Sequence, residues 1–277
     1  MSDRVTISID GGVADVRMNR PDKMNALDGA QFAAIVEAGE SLKSQPGVRA
    51  VVLSGEGRAF CAGLDFESFQ QMAGGGGGER PAREERPERD VSAGIGDLNG
   101  RITHTGQQAA WVWQELEVPV IAAVHGVALG GGAQIALGAD LRIMAPDAQF
   151  SVLEIRWGLV PDMIGTYMLP RLVGMERAKE LTWTGRMVTG TEAVEIGLAT
   201  KTAEDPRAAA LELAAEIASK NPHAVRGGKM LLNRSLDADP ASQFDIERKT
   251  IGSLIGSPNQ VEAVMAFFEK REPSFTD

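Results

Sequence analysis

The sequence predicts an α/β fold with a helical last third. Short apolar, β-branched runs, at residues 48–53 and 118–124, alternate with segments of helical period. The second run passes through His125-Gly126-Val127-Ala128-Leu129-Gly130-Gly131-Gly132 into the small helix formers of residues 133–137, so a strand feeds a helix through glycines. From Gly165 onward the apolar spacing is helical with short breaks, and capping residues repeatedly precede prolines.

Taken in order, residues 5–9 and 13–18 alternate with period two about Asp10-Gly11-Gly12, a hairpin signal. Asn19-Arg20-Pro21-Asp22-Lys23 is a loop. Asp28 is placed to cap a helix running to about Lys43, with Phe32, Ile35 and Leu42 on one face. The strand at 48–53 leads through Ser54-Gly55-Glu56-Gly57 to a second turn, Arg58-Ala59-Phe60-Cys61-Ala62-Gly63-Leu64-Asp65, where Asp65 can cap a short helix to Met72. Residues 74–78 are all glycine and residues 79–90 are mostly charge and proline. That is linker composition, read as a surface loop because strand–helix alternation resumes on both sides. The same glycine loop is a candidate lid.

A helix is expected over about 91–116, with Ile95, Leu98, Ile102, Ala109, Trp113 and Leu116 in the core. Residues 140–144 and 149–152 read as strands. Thr189 and Glu192 have capping-box spacing, and Asp205-Pro206, Asn221-Pro222 and Ser257-Pro258 each open a helix. The final helix, about 260–271, bears Val261, Val264, Met265 and Phe268 on one stripe, a face that packs on its own core or on a second subunit. Residues 1–200 are assigned to the core with the site and 201–277 to a helical region.

Composition narrows the chemistry. With 277 residues the chain can bury a sizeable core, and its net charge of −10 without a basic block excludes a nucleic-acid surface. No run is long enough to span a membrane and the first residues lack a secretory pattern, so the expected compartment is the cytoplasm. One cysteine precludes an intrachain disulfide, and three scattered histidines give no metal-ligand spacing. Walker, dinucleotide and Gly-x-Ser-x-Gly fingerprints are absent.

Two turns, at Cys61 and Gly131, each follow an apolar strand. In a mostly parallel sheet, ligands gather at the carboxyl ends of strands. Two backbone N–H groups can there converge on one oxygen and stabilise its developing charge, at about 3 kcal/mol per donor. A thioester carbonyl suits such a hole. Cys61 also has a second reading as a thioesterase nucleophile with His125 or His104 as base, against the ordinary reading of a small buried side chain. Glu154 lies between apolar stretches, and partial burial there raises a carboxyl pKa.

The ordered set Asn19-Arg20-Pro21, Asn25-Ala26-Leu27, Ala59-Phe60-Cys61-Ala62-Gly63-Leu64-Asp65, His125 through Gly132, and Glu154 with Gly158-Leu159-Val160-Pro161 resembles the crotonase (enoyl-CoA hydratase/isomerase) superfamily over nearly the whole chain. The resemblance implies a spiral of ββα repeats, a helical C-terminal trimerisation region, and a trimer or dimer of trimers. It implies that N–H groups at Cys61 and Gly131 hold the thioester oxygen of an acyl-CoA. Ala59 and Ala62, Gly63, Leu64 and Asp65 would line the CoA arm. Arg58 is adjacent, and Lys270 would reach the phosphates from a neighbouring subunit. Coenzyme A enters as part of the substrate, with no separate cofactor or metal.

The family's hydratases hold water between two glutamates. One stands at Glu154; the other position is Gln134 here, which can hydrogen-bond but not act as a base. One carboxylate suffices for moving a double bond, as in the family's enoyl-CoA isomerases. Asp162, aspartate also in the dienoyl-CoA isomerases, is either a second proton-relay group or a cap for a helix near Ile164. Isomerisation by Glu154 is therefore the leading reading. Hydration of 2-enoyl-CoA, or thioester binding with little turnover, are the alternatives.

Overall fold

The structure is a computed structural model and describes residues 3–65, 98 and 100–277. The short helix to Met72, the glycine loop at 74–78, the linker to 90 and Ile95 lie outside the described residues.

Strands β1 (Val5–Asp10) and β2 (Val13–Met18) form the expected antiparallel hairpin, Val5 opposite Met18. Helix α1 (Gly29–Lys43) follows, with Asp28 accepting a hydrogen bond from Gln31 N, 2.8 Å. Strand β3 (Ala50–Gly55) pairs with β2 in parallel. Helix α2 (Thr105–Glu115) is shorter than expected. His104 and Gln107 form a reciprocal cap at its start, so the chain enters the helix at 105 rather than near 91. Consequently Leu98 and Ile102 are not core residues; Ile102 is 81% exposed. Ala109, Trp113 and Leu116 are buried as the spacing predicts.

The spiral is visible in the next two units. Strand β4 (Val120–Val124) continues through the His125-Gly126 turn into β5 (Val127–Leu129) and helix α3 (Gly131–Leu137). Strand β6 (Leu141–Met144) leads to β7 (Gln149–Ser151) and a 3₁₀ turn, Glu154–Trp157. β6 lies beside β4 and β7 beside β5, both in parallel, so each unit adds one strand to each of two sheets. Helices α4 (Gly165–Val173) and α5 (Met175–Thr184), strand β8 (Val188–Thr189), helix α6 (Gly190–Glu195) and strand β9 (Lys201–Thr202) follow. One sheet has the order β1-β2-β3-β4-β6-β9, the other β5-β7-β8.

Strands β3 and β4 are buried on both faces, hence their near-continuous apolar sequences. Val51 and Leu53 face the main core with Trp113 and Ile35. Ala50 and Val52 face a second layer against Ala210, Ala214 and Ala218 of α7 (Pro206–Ala218). Helices α8 (Pro222–Ser235), α9 (Pro240–Leu254) and α10 (Pro258–Glu269) complete the chain. The α10 stripe does not pack on the chain's own core: Val261, Val264, Met265 and Phe268 are all exposed.

Candidate active site

The chain from Cys61 to Asp65 is wedged between the 24–27 loop and β5, with Cys61 bridged to Ala128 and Leu64 to Leu27 in strand-like fashion on either side of Gly63. Extended backbone points successive N–H groups to opposite sides, and their partners decide what is left for a ligand. Cys61 N donates to Val127 O at 3.0 Å, Ala62 N to Met24 O at 2.9 Å and Asp65 N to Leu27 O at 2.9 Å. Gly63 N is turned to the Cys61 sulfur. Leu64 N alone in this segment has no partner among the described residues. This corrects the assignment of Cys61: its N–H is committed to β5, and the free donor lies three residues later.

Gly131 keeps its expected place. As the first residue of α3 its N–H has no acceptor inside the helix, and none outside it among the described residues. The two segments touch through Gly63, whose φ of +87° and close approach both demand glycine. A Cβ there would sit 2.5 Å from Leu129 O and 3.8 Å from Gly131 N.

The Cys61 side chain is inert. It is fully buried, its thiol donates to Asn25 O at 3.1 Å, and burial pushes its pKa up to about 12. Neither histidine is hydrogen-bonded to the thiol: His104 Nδ1 accepts from Gly106 N, and His125 Nε2 bonds Gly57 O. The nucleophile reading is overturned. Asn25, buried in the left-handed region (φ 56°), ties the site together by accepting from Arg20 N and donating to Glu56 O and Ala59 O.

Glu154 opens the 3₁₀ turn and is buried. Its Oε1 accepts from Gln134 Nε2 at 2.6 Å and lies 3.5 Å from where a Cβ of Gly130 would be, one residue before Gly131. Its Oε2 is buried without a partner among the described residues. Burial raises its pKa, its own N–H and Gln134 oppose the rise, and the charge of Asp162 adds to it. Gln134 is fully buried, and its Oε1 accepts from Met163 N and Gly165 N, both at 2.8 Å.

Asp162 is exposed and does not cap α4. Ile164 occupies that position, in left-handed backbone with no side-chain cap, so the cap reading fails. Asp162 instead lines a cavity of about 580 Å³ with Pro161 and Ile164 on one wall and Ile102, His104 and Trp111 on the other.

Of the residues expected along the CoA arm, Arg58 is exposed and Ala62 and Leu64 are half-buried. Ala59, Gly63 and Asp65 are buried, and the Asp65 carboxylate pairs with Arg20 at 2.7 Å, so these three present no side chain to a ligand. Lys270 is exposed at the C-terminal end of α10. The sequence placed Leu64 along the CoA arm but missed its N–H as a donor, and it missed the Met163 and Gly165 amides; no local signal in the sequence marks any of the three.

The sequence model of the enoyl-CoA hydratase/isomerase family matches residues 8–82 and 98–277. The chain is 35% identical over 271 residues to enoyl-CoA hydratase domain-containing protein 2, mitochondrial, of Mus musculus, covering 95% of this chain and 84% of that one. It is 34% identical over 266 residues to crotonyl-CoA hydratase of Syntrophomonas wolfei, covering 95% and 94%. Among solved structures, the putative enoyl-CoA hydratase of Streptomyces coelicolor A3(2) superposes with a TM-score of 0.84 at 33% identity, covering 99% of this chain and 94% of that one.

Proposed function

This chain belongs to the enoyl-CoA hydratase/isomerase family and is an enzyme of that type, and within the family we propose that it moves a double bond in an enoyl-CoA thioester. The observation behind this reading is the buried carboxylate of Glu154, whose Oε2 has no partner among the described residues and which lies against Gly130, the residue before the Gly131 N–H. In a 3-enoyl-CoA, Oε2 takes a proton from the α carbon. The electron pair runs onto the thioester oxygen, held by the N–H groups of Leu64 and Gly131. The same proton returns at the γ carbon, giving the 2-enoyl-CoA with no water consumed. Gln134 cannot take a proton at neutral pH, so it supplies no second base.

Arg58, Ala62, Leu64 and, across a subunit boundary, Lys270 are the proposed contacts to the CoA arm. The exposed α10 stripe suits a homotrimer or a dimer of trimers. The compartment proposed is the cytoplasm; among the described residues no helix is long and apolar enough to cross a membrane. Coenzyme A, within the substrate, is the one group the reaction requires.

Hydration of 2-enoyl-CoA is the second reading, favoured by the relative that is a crotonyl-CoA hydratase and by the reach of the Asp162 charge to Glu154. A panel of 2-enoyl, 3-enoyl and dienoyl-CoA esters with product identification decides. Isomerisation predicts 2-enoyl product from 3-enoyl substrate and slow loss of crotonyl-CoA absorbance. Rapid 3-hydroxyacyl product from crotonyl-CoA overturns it, and tight binding without turnover of any ester overturns both.

A further inference from the structure

Ile164 is a β-branched residue at φ 73°, immediately ahead of α4. That conformation is unfavourable for a branched side chain and persists only where the surroundings impose it. The two amides that flank it, Met163 N and Gly165 N, both point at one atom, Gln134 Oε1. The packing there is tight: a Cβ at Gly165 would meet that oxygen at 2.8 Å and Pro161 Cβ at 3.0 Å. Helix α4 has no side-chain cap of its own, so the carboxamide of Gln134 serves its first N–H from another helix. The other end of the same carboxamide donates to Glu154 Oε1.

We propose that Gln134 is a positioning residue: it holds the Ile164 turn in its left-handed form and, through the same side chain, fixes Glu154 with Oε2 as the one free oxygen. The wall of the cavity formed by Pro161, Asp162 and Ile164 is thereby locked to the base. Glutamine uses both faces of its amide here, accepting twice and donating once. A carboxylate could accept from the two amides, but 2.6 Å from Glu154 it would have to share a proton with it. This inference rests on Glu154 as the base, and Asp162 is the other charged group acting on that base.

The test uses Gln134→Leu, Gln134→Glu and the double variant Gln134→Leu with Ile164→Gly, the last because glycine adopts φ 73° freely. Wild type is assayed first on 3-enoyl-CoA. Absence of turnover sinks the reading of Glu154 as an isomerase base, while amide exchange at Met163 and Gly165 still reports on the turn. Gln134→Leu is expected to lose about 100-fold in kcat, as a misplaced base does, to move the acid limb of the pH profile upward, and to lose protection at both amides. Ile164→Gly in that background should restore roughly tenfold of the kcat, because the turn no longer needs holding. Gln134→Glu should keep both amides protected while moving the acid limb upward. Wild-type kcat and acid limb in a folded Gln134→Leu overturn the proposal. So does persistent protection of both amides in that variant, or a double variant no better than the single one.

Discussion

Replacing Glu154 with glutamine removes one proton-accepting atom and almost nothing else. The new carboxamide would keep the side-chain volume and an oxygen for Gln134 Nε2, so acyl-CoA binding should stay within a few-fold of wild type. No other carboxylate among the described residues stands ready to substitute, since Asp162 is exposed and across the turn from the base. A positioned general base contributes about 10²–10⁴ in rate. With a single base serving both proton transfers, the upper part of that range is expected, a kcat loss of about 10³–10⁴. Stability should move the other way. Burial holds the Glu154 pKa above its ordinary 4.5, so its ionisation is harder in the fold than in the unfolded chain. The stability tied to this group is complete below the unfolded pKa and is lost as pH rises through the folded one. Wild type is therefore destabilised at pH 8 by a charge that the glutamine variant lacks. Each pKa unit of rise corresponds to about 1.4 kcal/mol, or roughly 2–4 °C for a chain of this size. The assays are 3-enoyl-CoA isomerisation, calorimetric binding of a saturated acyl-CoA, and thermal unfolding from pH 4 to 8. Near-wild-type turnover, or a thermal gain that is largest at pH 4, would refute the reasoning.

Four further outcomes are expected. Asp162→Asn removes a negative charge that raises the Glu154 pKa, so the acid limb of kcat/KM should move to lower pH; an unmoved limb removes Asp162 from the site's electrostatics. Gly131→Pro deletes one N–H at a helix position where proline is favoured, and the nearest clash is the flexible end of Leu27, 2.8 Å away. It should cost about 10²–10³ in kcat, with the fold checked by circular dichroism. Cys61→Ala should leave thioester turnover intact, because the buried sulfur meets only Asn25 O and the Gly63 N–H among the described residues; abolished turnover in a folded variant would restore the sulfur to the chemistry. Lys229, 7% exposed at its side chain, donates to Trp113 O, Val118 O and Asp140, tying α8 to the end of α2 and the start of β4. Lys229→Met leaves the partly exposed Asp140 carboxylate with the Val120 N–H alone and should cost about 1–3 kcal/mol in denaturant unfolding.

What was legible in the sequence divides by the range of the interactions. Asp28, Thr189, Asp205, Asn221 and Ser257 each satisfy N–H groups within three residues, so their helices could be read from local order. Asp239-Pro240 has the same signature and opens α9, a helix start that local order also contains. The strand β5 could not be read that way. Its three residues sit between glycines, and their partner is β7, beyond a whole helix and strand. The helix expected from 91 begins at 105 among the described residues, where the reciprocal His104–Gln107 cap sets its start and residues 100–104 are not helical.

The site follows the same division at finer scale. Glu154, Gln134 and Gly131 were singled out because each stands at a marked position in the motifs that carry the family resemblance. The second N–H donor was misplaced because a backbone amide has no residue type; it is defined by what its neighbours leave over. Val127, Met24, Leu27 and the Cys61 sulfur take the amides of residues 61, 62, 65 and 63, from three separate parts of the chain, and Leu64 remains. Asp162 was open to reading as a cap for want of the same information. An aspartate ahead of a helix is a local signal, but Gln134 already serves that helix from α3 and leaves the carboxylate facing the cavity. The groups proposed for the chemistry are those that long-range pairing leaves unpaired among the described residues: one carboxylate oxygen and two amides, each bounded by neighbours that have partners of their own.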